Sequence, residues 1–276
     1  MTRGAWRFID SGRLGGPANM ALDEAMLEAH AAGETPPTLR VYGWHPPAIS
    51  LGRFQKAESS VDLPACRRLG VDVVRRPTGG RAILHTEDEV TFSLVVSAAQ
   101  LGTTGVMGAY RALAGGIIQA LRLLGLEARL VERTGPASSP AAVQDPACFA
   151  AKARCDLVVG SSKLVGSAQV QRNGFILQQN SLPLRIDVEQ WRQVFRREEA
   201  PPGATGLYHA ARRHIPHTEI AECLRVGFSE GLGVSLVDSS PSEAEVTRAR
   251  DLMGKATVVG SGDRPPQAAR ESARRA

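Results

Sequence analysis

An α/β fold, with mixed β-sheets flanked by helices, is what the sequence predicts, and three features predict it. β-Branched strands and helical segments alternate through the first hundred residues. Three strands follow one another between Asp156 and Ser181, and a long apolar-faced helix spans Tyr110 to Leu124. With 276 residues, 43% of them hydrophobic and 22% charged, the chain can bury a sizeable core, which excludes wholesale disorder.

Taken in order, Trp6 to Asp10 reads as a strand, and Gly12, Gly15 and Gly16 read as a turn. Asn19 then caps a helix whose apolar residues Leu22, Ala25, Met26 and Ala29 recur at helical spacing, and Gly33 stops it. Strands at Thr38 to Tyr42 and Ala48 to Leu51 are set off by Pro36-Pro37 and Pro46-Pro47. Val71 to Arg75 and Val90 to Val96 are β-branched runs flanking a glycine turn, and read as paired strands. Tyr110, Leu113, Ala114, Ile117, Ile118, Leu121 and Leu124 share one helical face, with Gly125 at its end. A Pro-, Ala- and Ser-rich loop runs from Thr134 to Ala147. Strands at Asp156 to Val159 and Lys163 to Val170 meet at Gly160-Ser161-Ser162, and Asn173-Gly174 turns the chain into Phe175 to Ser181. One helix follows Thr218. Another follows Ser240-Pro241-Ser242-Glu243, a capping-box pattern with Pro at the first helical position. The expectation is one domain over residues 1–256, then a disordered tail over 257–276.

Charge and cysteine usage narrow the function classes. The net charge is +5, and Arg264, Arg270, Arg274 and Arg275 against Asp263 and Glu271 place two of those charges in the tail. Aromatics are 5%, too few for base-stacking platforms, so a nucleic-acid partner is not expected. Arg111 and Arg122 interrupt the most apolar stretch, Val106 to Leu126, so no membrane partner is expected either. Cys66, Cys148, Cys155 and Cys223 form no Cys-x-x-Cys pair, and the amino terminus lacks an apolar leader. Both point to reduced thiols in a cytoplasmic protein.

Three segments carry candidate chemistry. Arg75-Arg76-Pro77-Thr78-Gly79-Gly80-Arg81-Ala82-Ile83-Leu84-His85 puts two side-chain-free positions among arginines. Such a loop admits a ligand close to the backbone, although a plain turn with solvated arginines also fits. Cys148 ends a loop just before the three strands, with Lys163 as a cation that would favour its thiolate. The competing reading makes Cys148 a small buried apolar residue and Lys163 a solvated lysine. Gly166-Ser167-Ala168 interrupts a good strand with small residues, as a ligand-covered face or a bulge would. His209, His214 and His217 lack a carboxylate or cysteine to complete a zinc set, so no metal site is expected.

Together these segments resemble the lipoate/biotin protein ligase catalytic-domain superfamily, and within it the LipM-type octanoyltransferases. The likeness runs from Trp6–Asp10 and Asn19–Glu24 through Tyr42–Gly52 and the Arg75–His85 segment. It continues through Ala147-Cys148-Phe149, Gly166-Ser167-Ala168-Gln169 and Ile176-Leu177-Gln178. It implies a ligase-like mixed-sheet fold in which Arg75, Gly79, Gly80, Arg81 and His85 line an acyl tunnel with Gly166, Ser167 and Ala168. It also implies that octanoate passes from acyl carrier protein to Cys148 as a thioester, with Lys163 lowering the thiol pKa. A lysine of a lipoyl-carrier domain, such as the glycine-cleavage H protein, then receives it. Thioester exchange needs no ATP, so no cofactor is expected. At position 179, where such enzymes often carry a histidine, this chain has Gln179. The alternatives are an ATP-dependent lipoate–protein ligase on the same fold and a non-catalytic carrier-binding protein.

Overall fold

The computed structural model describes residues 3–132, 155–195 and 203–260. An eight-stranded sheet has the order β11-β1-β2-β6-β10-β9-β8-β7, and a four-stranded sheet the order β12-β4-β3-β5. The large sheet comprises β1 (Arg3–Leu14), β2 (Thr38–Trp44), β6 (Glu89–Ser97), β7 (Ala128–Glu132), β8 (Cys155–Val159), β9 (Ser162–Arg172), β10 (Phe175–Pro183) and β11 (Val234–Asp238). The small sheet comprises β3 (Ala48–Leu51), β4 (Asp72–Arg75), β5 (Ile83–His85) and β12 (Thr257–Val259). Both are mixed: β1 runs parallel to β2 and β11, and β3 runs parallel to β4 but antiparallel to β5.

Burial of two different strand faces explains the layers. Leu39 and Val41 of β2 and Val90, Phe92, Leu94 and Val96 of β6 join one apolar core. That core is closed by α5 (Gly105–Leu123) and α8 (His217–Leu232). These two helices pack with little between them: a Cβ on Gly227 would lie 2.4 Å from the Ala120 nitrogen. The other face is covered by α1 (Gly16–Ala31) and α9 (Glu243–Ala256) through Leu22, Met26, Val95, Leu177 and Ala249. Met20, Tyr42, Trp44, Ala48 and Val74 form the contact between α1, the large sheet and the small one. The remaining helices among the described residues are α2 (Ala57–Ser60), α3 (Leu63–Leu69), α4 (Ala98–Leu101), α6 (Val188–Phe195) and α7 (Leu207–Ala211).

Several local expectations need correction. Val71–Arg75 and Val90–Val96 do not pair: β4 lies between β3 and β12, whereas β6 lies between β2 and β10. The chain between them forms β5 against β3, so the glycine turn leads within the small sheet and not into a hairpin. Gly12 sits inside β1 at φ 62, where the β1–β2 register shifts between Asp10 and Arg13. Asn19 is not a cap, since α1 begins at Gly16 after Gly15. Its side chain instead donates to the carbonyls of Leu14 and Gly43. The last helix is capped by Ser242 with Glu245 in the reciprocal position, so Pro241 precedes the cap. Thr257–Val259 pairs with β4, which carries the folded chain past the expected boundary at 256. No helix among the described residues is long and apolar enough to cross a membrane.

One ion pair ties α9 to the large sheet. Arg7 donates through two nitrogens to Glu245, at 2.9 and 2.6 Å, and the carboxylate is fully buried. Burial alone would raise the Glu245 pKa, but hydrogen bonds from Arg7 and the Ser242 backbone outweigh it and hold it low. Its contribution is therefore complete above the ordinary glutamate pKa of about 4.3 and is lost as pH falls through the lower native value. Glu245→Ala is expected to cost about 3–5 kcal/mol at neutral pH, because Arg7 is left buried and unpaired. Denaturant titrations should show that difference shrinking below about pH 4.3.

Candidate active site

Where the two sheets meet, a narrow cleft with a cavity volume of only about 10 Å³ opens between α1, β2, β5 and β10. Its walls include Met20, Trp44, Arg76, His85, Ala168 and Gln179. A wider depression, of about 980 Å³, lies at the opposite end of the large sheet beside Ser97 and Phe175. It has little chemistry to offer: His30 there is already engaged by the Thr35 carbonyl and Gln100.

The cavity is framed by a buried polar network that crosses both sheets. Asp23 on α1 is fully buried, and its two oxygens accept four hydrogen bonds. Arg40 and Ser93 donate to Oδ1 at 2.8 and 2.7 Å, and Tyr42 and Gln179 to Oδ2 at 2.8 and 2.7 Å. Burial first, and the Asp23 charge second, push the Tyr42 hydroxyl well above its ordinary pKa, so it stays a donor. Gln179 in turn accepts from Thr78 at 2.9 Å. Here the chain's departure from histidine has a clear consequence. An amide offers both the donor toward Asp23 and the acceptor toward Thr78, whatever the pH.

Arg76 organises the glycine loop. Its guanidinium donates to the carbonyls of Ser50, Gly79 and Arg81, each at 2.7 Å, and to the Ser50 and Thr78 hydroxyls at 3.1 Å. The loop closes at Gly80, at φ 91, with the Gly80 carbonyl lying 1.9 Å from where a Gly52 Cβ would be. A Cβ on Gly80 would itself stand 3.9 Å from the Ala168 methyl, while Gly79 has open space around it. The loop therefore sits at the wall formed by Ala168, with one open glycine.

His85 belongs to a second relay. Its ring stacks on Trp44 at 4.0 Å between centroids, 12° from parallel. Nδ1 faces Glu89 Oε1 at 2.7 Å, and Nε2 faces the Ser50 hydroxyl at 2.7 Å. With Glu89 ionised, Nδ1 carries the proton and Nε2 accepts from Ser50. Thr91 also donates to Glu89 and accepts from the Trp44 indole.

Of the residues expected from the sequence, His85 and Ala168 line the cleft, and Gly79 and Gly80 adjoin it through Arg76 and Ala168. Gly166 and Ser167 precede Ala168 on β9, opposite Ser181 and Asn180 of the cavity wall, and Ser167 donates to Asn180 at 2.8 Å. Arg81 is half-buried beside the loop. Arg75 lies outside the cavity lining. It donates to the carbonyls of Gly52, Arg53 and Gln55, bracing the neighbouring loop, and Arg76 is the arginine at the wall. Arg75 is the last residue of β4, and the chain turns inward at Arg76 just beyond it. Arg76, Thr78, Ser50 and Asp23 are polar side chains to which motif reading gives no role, and Gln179 is one it marks only as a departure. Arg76 and Thr78 stood within the glycine motif, and Asp23 and Gln179 within or beside segments carrying the likeness.

Lys163 is not solvated. It is 6% exposed and its ammonium lies 2.8 Å from Asp156 Oδ1, an acid from a neighbouring strand. Such pairing fixes the position of the buried side chain. Cys148 lies outside the described residues. Two other thiols are poor nucleophiles: burial pushes Cys66 up to about 12, and burial with Glu219 and Glu222 raises Cys223. His214 and His217 turn to different partners, Tyr208 and Asp10.

The two-sheet fold and its cleft define the class of lipoate-ligase-like catalytic domains. In solved structures, lipoate-protein ligase A bound with ATP superposes with a TM-score of 0.76 at 25% identity, covering 92% of this chain and 95% of that one. A lipoate protein ligase from T. acidophilum with bound lipoic acid gives 0.73 at 26%, over 91% and 95%. The chain belongs to the lipoyl protein ligase A/B catalytic domain family, whose model matches residues 16–229. Curated relatives extend over nearly the whole chain. An octanoyltransferase LipM of Kyrpidia tusciae is 39% identical over 262 residues, 91% of this chain and 95% of the relative. The octanoyltransferase LipM of Anoxybacillus flavithermus is 38% identical over 252 residues, 86% and 89%.

Proposed function

We propose that this protein is an octanoyltransferase of protein lipoylation, an acyltransferase working in the cytoplasm within one catalytic domain. The observation that carries the reading is the 38–39% identity to octanoyltransferases along about nine-tenths of the chain. The donor is octanoyl-acyl carrier protein, and the acceptor is a lysine on a lipoyl domain or glycine-cleavage H protein. In the first step the Cys148 thiolate attacks the thioester carbonyl. An acyl–Sγ bond forms, the carrier's thiolate leaves, and it takes up a proton. In the second, a neutral lysine amine attacks the Cys148 thioester; the amide forms and the thiol is restored.

Each residue has a task that its surroundings suit. Lys163, held in place by Asp156, is the cation that favours the Cys148 thiolate. The carboxylate shares that field, so the lysine serves to position and tune without wholly neutralising the thiolate. Gly79 and Gly80 let the acyl chain approach the backbone beside the wall that Ala168, Met20 and Trp44 form. Thioester exchange is nearly isoenergetic and amide formation is downhill, so the cycle needs no nucleotide. Incubation with octanoyl-carrier protein and an acceptor domain, without ATP, should place one octanoyl group on the acceptor lysine. A strict requirement for free lipoate, ATP and Mg²⁺ would show a ligase instead.

A further inference from the structure

Phe54 is 88% exposed, the most exposed large apolar side chain among the described residues. A lone surface aromatic needs no explanation, but this one is held in place. It lies between β3 and α2, with the Arg53 guanidinium 5.6 Å from its ring centroid. Arg75 bridges the carbonyls of Gly52, Arg53 and Gln55, the Gln55 side chain accepts from the Gly52 nitrogen, and the Arg53 nitrogen donates to the Thr78 carbonyl. An aromatic and an arginine on a rigid loop lose little freedom when covered, which is how interface anchors are built.

The loop is at the cavity. Gly52 packs on Gly80, and Gly80 approaches Ala168 of the cavity wall. Its surroundings are cationic: from position 53 to 69 the exposed charges are Arg53, Lys56, Arg67 and Arg68 against Glu58. Asp62, the other acid there, is occupied capping α3. An acidic partner fits this surface. Reach then chooses between partners. A lysine side chain extends only about 6 Å past its backbone, so an acceptor must dock at the rim itself. A donor that carries its acyl group on a long flexible arm can sit farther away.

Building on the transferase reading, we propose that Phe54, with Arg53 and Lys56, is the docking surface for the acidic acceptor domain whose lysine takes the acyl group. The phenyl ring seats in an apolar spot of that domain while Arg53 and Lys56 meet carboxylates. The test separates the two half-reactions in Phe54→Ala and Arg53→Glu. Self-acylation by octanoyl-carrier protein is followed by intact mass, and binding of unmodified acceptor domain to unacylated enzyme by calorimetry. Expected are an acceptor affinity lowered at least tenfold and an acylation rate within twofold of wild type. The same proteins should show at least a tenfold higher KM for the acceptor. Unchanged acceptor binding in both variants would overturn the proposal, as would a comparable loss in the acylation step. Should wild-type enzyme fail to acylate while still binding acceptor through Phe54, the transferase reading falls and the docking surface stands.

Discussion

Asp23→Ala is expected to lower the free energy of unfolding by about 3–5 kcal/mol, a large fraction of the 5–15 kcal/mol typical of a native domain. The cause is electrostatic. Arg40 is fully buried, lies 4.0 Å from the Tyr42 ring centroid, and has Asp23 as its ion-pair partner. Its other hydrogen bonds go to neutral oxygens of Ser11 and Asn19, which cannot balance the charge. Removing the carboxylate also strands the Tyr42 and Ser93 hydroxyls and frees Gln179 from one of its two anchors. Denaturant unfolding checks the size, and a second variant checks the cause. Asp23→Leu combined with Arg40→Met removes both charges and should recover a substantial part of the loss. If the double variant is no better than the single, the penalty lies in packing and not in the stranded charge.

Arg76→Lys is the corresponding prediction for activity. A lysine keeps the charge but cannot reproduce a planar fork that reaches three carbonyls and two hydroxyls. The loop from Pro77 to Arg81 then loses its organising contact, and Gly80 its fixed position against Gly52. Displacing a substrate-positioning element by about 1 Å can cost on the order of 10²-fold in rate. A fall of that order in kcat/KM for acyl transfer is therefore expected. The acceptor affinity should change less, because Arg75 holds three carbonyls of the Phe54 loop directly, whereas Arg76 touches that loop only through Thr78 and Gly80. Single-turnover acylation with octanoyl-carrier protein reports the first effect directly, and calorimetry the second.

Much of the fold was legible because its signals are local. The Asn173-Gly174 hairpin, the helix closing at Gly125 and the strands from Asp156 onward follow from turn chemistry and periodicity. The polar side of β2 was harder to read. Thr38, Arg40 and Tyr42 alternate with Leu39 and Val41 as a half-solvated strand would, yet all are buried. The partner that makes this tolerable, Asp23, lies on a helix that only the fold brings near. Strand pairing across Gly79-Gly80 failed for a similar reason: β-branched content says that two strands exist, not which sheet each joins. The glycine motif is legible, but sequence alone does not show that Arg76, and not its neighbour Arg75, lines the cleft. Gln179 stood out only as a departure from the expected histidine; its role became visible with Thr78 and Asp23 on either side of it.

Intact-mass spectrometry of the protein after exposure to octanoyl-acyl carrier protein tests the central claim most directly. The wild type should gain the mass of one octanoyl group, released on adding an acceptor domain, and Cys148→Ala should gain nothing and transfer nothing. An enzyme that octanoylates its acceptor while never carrying the group, or a Cys148→Ala variant that remains active, would contradict the thioester mechanism.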